Sequence, residues 1–207
     1  MLFRFPVRNL RLRYCLLPTA CCLLLSPACN SDYVQKPRTY PRIDFPEHAY
    51  TTFDTSFCPC TFEYPIYGSV EQSHYFFREE PEHPCWLNVS VPQLNATIHL
   101  SYKDLREKYS LAKLLEDAHR LTYKHAQRAD YIEPQRIVTP NDVQGVIYSV
   151  GGDAASAFQF FLTDTVSHFL RGSLYINAEP NIDSLRPVIS FLMVDAMRLI
   201  ETLKWKE

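Results

Sequence analysis

The 207-residue chain has no long block of like charge, no internal repeat, no low-complexity segment and no apolar run long enough to cross a bilayer. Its 21 basic and 23 acidic side chains leave a formal net charge of −2. That balance argues against nucleic acid as a partner. A spanning helix needs about 20 apolar residues. The run over residues 14–25 is shorter and is broken by Pro18 and Thr19. Charged residues at 21% and aromatics at 14% exclude a disordered chain.

What is present begins with an export signal. Arg4, Arg8, Arg11 and Arg13 precede the apolar run, and Ser26-Pro27-Ala28-Cys29 follows it. A basic start, a short apolar core and small residues at a cleavage point are the parts of a secretory signal. Cleavage before a cysteine is how bacterial lipoproteins mature, and three cysteines compete. Cys21 leaves too short an apolar stretch behind it, and Cys22 follows another cysteine. Cys29 follows Ala28 and has a full apolar core behind it, so it is the expected lipid-attachment residue. The plainer alternative is an ordinary signal peptide cut near Ala28. Several acyl chains on one cysteine hold a protein stably at a membrane.

The chain then divides into a signal peptide (1–28), a proline-punctuated tether (29–57, with Pro37, Pro41 and Pro46) and one domain (58–207). Fully extended, the tether would reach roughly 100 Å at ~3.6 Å per residue. Alternating segments predict strands at 62–66, 86–91, 96–102, 145–150, 157–162 and 169–177, with 92–95 as a hairpin turn. Residues 68–84 read as a loop whose tip is Glu79-Glu80-Pro81-Glu82. Helical spacing runs from Leu111 to Ile132, where Pro134 would stop it, and again from Ser184, an expected cap, to Leu203. The order predicts an α+β fold: a mainly antiparallel sheet of about five to six strands covered by two long amphipathic helices. Its element order resembles the Mog1/PsbP-like sandwich.

Several residues invite chemistry. Ser156, Asp164 and His168 lie within one predicted hairpin, but no Gly-x-Ser-x-Gly elbow surrounds Ser156, so turn and strand-edge roles are expected. His99 and His125 read as structural histidines. Asn88-Val89-Ser90 and Asn95-Ala96-Thr97 match a eukaryotic sequon that carries no meaning in a bacterial lipoprotein. Cys58, Cys60 and Cys85 are exported thiols. A Cys58–Cys85 disulfide, a Cys60–Cys85 disulfide and three unpaired thiols all remain open. Zinc is disfavoured because Cys58 and Cys60 stand closer than usual ligand pairs. Arg171 sits mid-strand between Leu170 and Gly172. If buried it would need a carboxylate or carbonyl partner, whereas an edge or outer-face position is the plainer expectation.

Longer segments carry a family resemblance. They are Asp32-Tyr33-Val34-Gln35-Lys36-Pro37-Arg38-Thr39-Tyr40-Pro41-Arg42-Ile43-Asp44-Phe45-Pro46, Phe62-Glu63-Tyr64-Pro65, Cys85-Trp86-Leu87-Asn88 and Ala96-Thr97-Ile98-His99-Leu100-Ser101-Tyr102. Tyr123-Lys124-His125, the run from Ala154 to Asp164, His168-Phe169-Leu170-Arg171-Gly172-Ser173-Leu174-Tyr175 and Glu201-Thr202-Leu203-Lys204-Trp205 complete it. Together they resemble the gliding motility lipoprotein GldD family over essentially the whole mature chain. Thr39 departs from an expected glycine. Cys60 departs from an expected non-cysteine, so the resemblance implies Cys58 and Cys85 as the family's pair.

The resemblance further implies an accessory lipoprotein of the gliding machinery and the linked type IX secretion system, without enzymatic activity or cofactor. It would act in the assembly or stabilisation of envelope components, with other envelope proteins as partners. The competing expectation is a periplasmic ligand-binding or envelope-modifying enzyme module. Surface-exported lipoproteins of gliding bacteria tend to carry a lysine-plus-acid cluster directly after the cysteine. Here Asp32 is the only early charge and Lys36 is followed by Pro37, so a periplasm-facing domain is expected.

Overall fold

The computed structural model describes residues 42–73, 81–106 and 109–206. The signal peptide, Cys29, Asp32, Lys36, Thr39, Glu79 and Glu80 lie outside the described residues. The chain divides into two units, and Arg42–Glu207 carries every element that follows. These are β1 (Tyr50–Phe53), β2 (Cys60–Pro65), β3 (Ser69–Gln72), β4 (Leu87–Val91), β5 (Ala96–Asp104), α1 (Leu111–Tyr123) and β6 (Ala129–Val138). After them come β7 (Gln144–Gly152), β8 (Phe158–Thr163), β9 (His168–Ile176), α2 (Ile182–Thr202) and β10 (Lys204–Trp205). The main sheet has seven strands in the order β3-β4-β5-β9-β8-β7-β6, and a smaller sheet has the order β1-β2-β10. Neighbouring strands pair antiparallel throughout, from β1–β2 to β8–β9.

The expected fold class holds as α+β with a mainly antiparallel sheet, but its size does not. Seven strands replace the expected five to six, because two segments are strands that the pattern assigned elsewhere. Residues 69–72 of the expected loop pair with β4. Residues 129–132, the expected end of a long helix, belong to edge strand β6, which carries Pro134 within it. An edge strand tolerates proline because its outward N–H has no ladder partner to lose. α1 is therefore 13 residues long, capped by the Ser110 side chain on Lys113 N–H, while α2 has 21 residues. The α2 cap is Asn181 rather than Ser184, and its side chain accepts from Ser184 N–H.

The domain also starts earlier than Cys58. Phe45 stacks on Phe191 at 4.6 Å, and β1 pairs with β2. Phe53 is buried against Phe62. The latter part of the expected tether is thus part of the fold. Among the described residues, no helix is long and apolar enough to cross a membrane.

Side chains alternate across the sheet. Phe160, Gly172, Leu100 and Leu87 fall in register on one face, which packs with Leu192, Ala196, Leu199 and Ile200 of α2. A Cβ at Gly172 would collide with the Phe160 ring, so close packing there requires glycine. The other face carries Phe161, Phe169 and Tyr148, which pack with Leu114 and Ala118 of α1.

Candidate functional site

α1 is too short to cover its face of the sheet. Its apolar stripe seals the end formed by β7, β8 and β9. Towards β5 and β4 the same face carries Ser101, His99, Thr97, Asn88 and Ser90, all partly exposed. An open cavity of about 410 Å³ lies there, with Ser90, Thr97, His99 and Tyr175 in its wall. His99 and Asn88 hydrogen-bond at 2.7 Å through Nδ1 and Oδ1. The His99 and Tyr175 rings are 5.6 Å apart.

Arg171 stands where the covered and open halves meet. It lies on β9, the middle strand of the seven, between Ser101 of β5 and Phe161 of β8. It is therefore neither at an edge nor fully outside, as the simpler reading held. Its Nη2 donates to the Gln159 Oε1 carbonyl at 2.7 Å. The same oxygen accepts from Thr122 Oγ1 of α1 at 3.2 Å. Burial pushes the Arg171 guanidinium below its ordinary value, and the Tyr175 and Tyr148 phenols act the other way. No carboxylate among the described residues acts on it. Gln159 and Ser173 are each 1% exposed, yet Gln159 Nε2 and Ser173 Oγ have no hydrogen-bond partner among the described residues. Burial lowers His99, and burial together with Arg171 lowers His125. Both rings are then neutral at neutral pH, and Arg171 is the fixed positive charge of the cluster.

A second polar cluster lies on the α2 side. Asp195, 1% exposed, accepts from His48 Nδ1 at 2.8 Å, Tyr50 OH at 3.1 Å and Tyr67 OH at 2.6 Å. His48 also stacks on Phe191 at 4.3 Å. Burial first, then the carboxylate, pushes the Tyr50 phenol up to about 12 and raises Tyr67 as well. The donors come from the chain before β1, from β1 itself and from the turn after β2, so Asp195 fastens the start of the domain to α2.

Other residues singled out in the sequence fall into structural roles. Cys58 and Cys85 are disulfide-bonded with Cα atoms 4.8 Å apart. Cys60 is a buried thiol whose Sγ is 3.6 Å from that of Cys58. Burial pushes the Cys60 thiol up to about 12, which keeps it protonated and unreactive. The three sulfurs lie within 4.8 Å of one another, so together they could ligate a soft metal only with the disulfide reduced. Ser156 precedes β8 and Asp164 follows it, with a six-residue strand roughly 20 Å long at ~3.3 Å per residue between them, so no triad assembles. Ser156 Oγ donates to Phe158 O at 3.4 Å. Burial pushes Asp164 up, but N–H groups of His168, Ser167 and Val166 outweigh it and hold the carboxyl below its usual range. His168 hydrogen-bonds Tyr102 OH at 2.7 Å and stacks on Trp205.

The pattern signalled Arg171 and His99 but missed Gln159, Ser173 and Thr122. It also missed Asp195, His48, Tyr50 and Tyr67. One signal for Asp195 was present: an acid spaced three and four residues from Leu192 and Leu199 on the buried stripe of a helix.

No curated protein matches the chain. Among solved structures it is similar to the solution structure of cyanobacterial PsbP (CyanoP) from Synechocystis sp., at 9% identity and a TM-score of 0.44, over 80% of this chain and 97% of that one. The family model described as gliding motility lipoprotein GldD matches residues 30–205. That span takes in the open polar face, the Asp195 cluster and all three cysteines of the domain, and the chain belongs to the gliding motility lipoprotein GldD family.

Proposed function

We propose that this chain is an accessory lipoprotein of gliding motility and of the associated type IX secretion system, anchored through Cys29, and that its domain holds envelope components together rather than catalysing a reaction. Family membership over residues 30–205 carries this reading. The site chemistry is in keeping with it. The Ser156 hydroxyl lies at the opposite end of β8 from Asp164 and His168, and the Cys60 thiol is sealed in the core. What the surface offers instead is a polar half-sheet beside α1, suited to recognition.

Deleting the gene in the native host is expected to abolish gliding or type IX secretion, with both restored by the wild-type gene. Restoration by a Cys29→Ala form lacking the lipid would contradict anchoring through Cys29. Crosslinking in intact envelopes is expected to trap other envelope proteins. The domain faces the periplasm on this reading. An impermeant protease should spare it in whole cells and degrade it in permeabilised cells, and cleavage in whole cells would reverse the orientation.

A further inference from the structure

We infer that the Arg171 cluster on the open face of the sheet is a binding site for a single carboxylate group. A guanidinium has five N–H donors. Among the described residues Arg171 spends one of them, on a neutral amide oxygen. Withdrawing a cation from water costs several kcal/mol unless a counter-charge and further hydrogen bonds offset it. The fold gives even the half-exposed Arg198 a carboxylate, Glu63 at 2.7 Å. Beside Arg171 it supplies more donors instead. Gln159 Nε2 and Ser173 Oγ are buried and unpartnered among the described residues, on the same face and in register with each other. Buried donors without acceptors are rare and call for an explanation. A positive fork with spare donors is complementary to an acceptor-only group, and a carboxylate accepts bidentately from arginine; Tyr175, whose phenol acts on Arg171, lies in the wall of the open cavity.

One positive charge matches one carboxylate group better than a phosphate dianion, and a second carboxylate on the same small molecule would stay in solvent. His99 and His125 are neutral and add no second charge, and the one ring proton of His99 is already given to Asn88 Oδ1. The carboxylate could belong to a small molecule or to an acidic side chain of a polypeptide. The geometry at Arg171 is common to both. The inference stands on this geometry and does not depend on the proposed role in gliding.

The test uses the mature lipoprotein in detergent, with histidine ring resonances as reporters beside Arg171. The probes are glutarate, uncharged glutaramide, inorganic phosphate, and a blocked tripeptide Ala-Ala-Glu with its Gln counterpart. Saturable shifts of the His99 and His125 signals are expected with glutarate, the Glu peptide or both, and none with glutaramide or the Gln peptide. Which of the two carboxylates binds more tightly identifies the source. Arg171→Gln should weaken binding by at least about tenfold. If that variant does not fold, Arg171→Lys keeps the charge but loses the fork, and should weaken binding by a smaller factor. Unchanged affinity in these variants, tighter binding of phosphate, or no response to either carboxylate would overturn the inference.

Discussion

Asp195 on α2 and Arg171 on β9 are both ionisable groups withdrawn from solvent, and the fold treats them in opposite ways. Asp195 receives three donors from residues distant in sequence, His48, Tyr50 and Tyr67. Its charge is spread over a closed network that ties the start of the domain to its last helix. Among the described residues Arg171 has one hydrogen-bond partner, a neutral oxygen, and the Gln159 and Ser173 donors near it have none, while its neighbour Tyr175 lines the open cavity. A satisfied buried charge fixes structure, because removing its partners strands it. An under-compensated one adds little to stability and is costly to keep, which is the signature of a group retained for recognition.

Among substitutions at the two clusters, the largest effect is expected at Asp195. Asp195→Ala deletes the common acceptor of three donors and should destabilise the domain by about 3–5 kcal/mol. Urea denaturation followed by tyrosine and tryptophan fluorescence measures it. Asp195→Asn leaves one acceptor oxygen and should cost about 1–3 kcal/mol in the same assay. A result near zero for the alanine variant would remove the contrast with Arg171.

Gln159→Glu gives Arg171 the counter-charge that it lacks. It places a carboxylate where the amide now meets Arg171 and removes the unpartnered Nε2. A charge-assisted bond should add about 1–2 kcal/mol at neutral pH. Arg171 would hold the new carboxyl below its unfolded value of about 4.3, so the gain is present above that pH and lost as pH falls through the lower folded value. The internal carboxylate should also displace glutarate from the site.

The smallest effect is a pH slope. His99 and His125 are lowered from 6.5, chiefly by burial. The unfolded chain therefore binds more protons between the folded values and 6.5, so stability is complete above 6.5 and declines as pH falls below it. Replacing His125 with Gln should flatten that decline in denaturation curves taken across the acid range.

Much of this was legible in the sequence, and the failures have physical causes. Strands β5, β7, β8 and β9 announced themselves by alternation and β-branched or aromatic content. β6 did not, because Ala129 and Ile132 extend the helical spacing of α1 and Pro134 reads equally as a helix stop or an edge-strand residue. β1 was hidden in a proline-rich stretch, since its pairing with β2 is settled by tertiary contacts rather than by local pattern. Arg171 drew notice as a charge inside an apolar strand. Its setting could not be read, because Gln159, Ser173 and Thr122 reach it only through strand register and helix docking.

On this reading Arg171 is kept for a ligand and not for the fold. The most direct test is the urea midpoint of wild-type protein and of Arg171→Met, each with and without saturating glutarate. Methionine fills similar space without a cation to desolvate. The unliganded variant should be at least as stable as wild type, and glutarate should raise the wild-type midpoint while leaving the variant's unchanged. A variant several kcal/mol less stable than wild type, or one stabilised equally by glutarate, would contradict that reading.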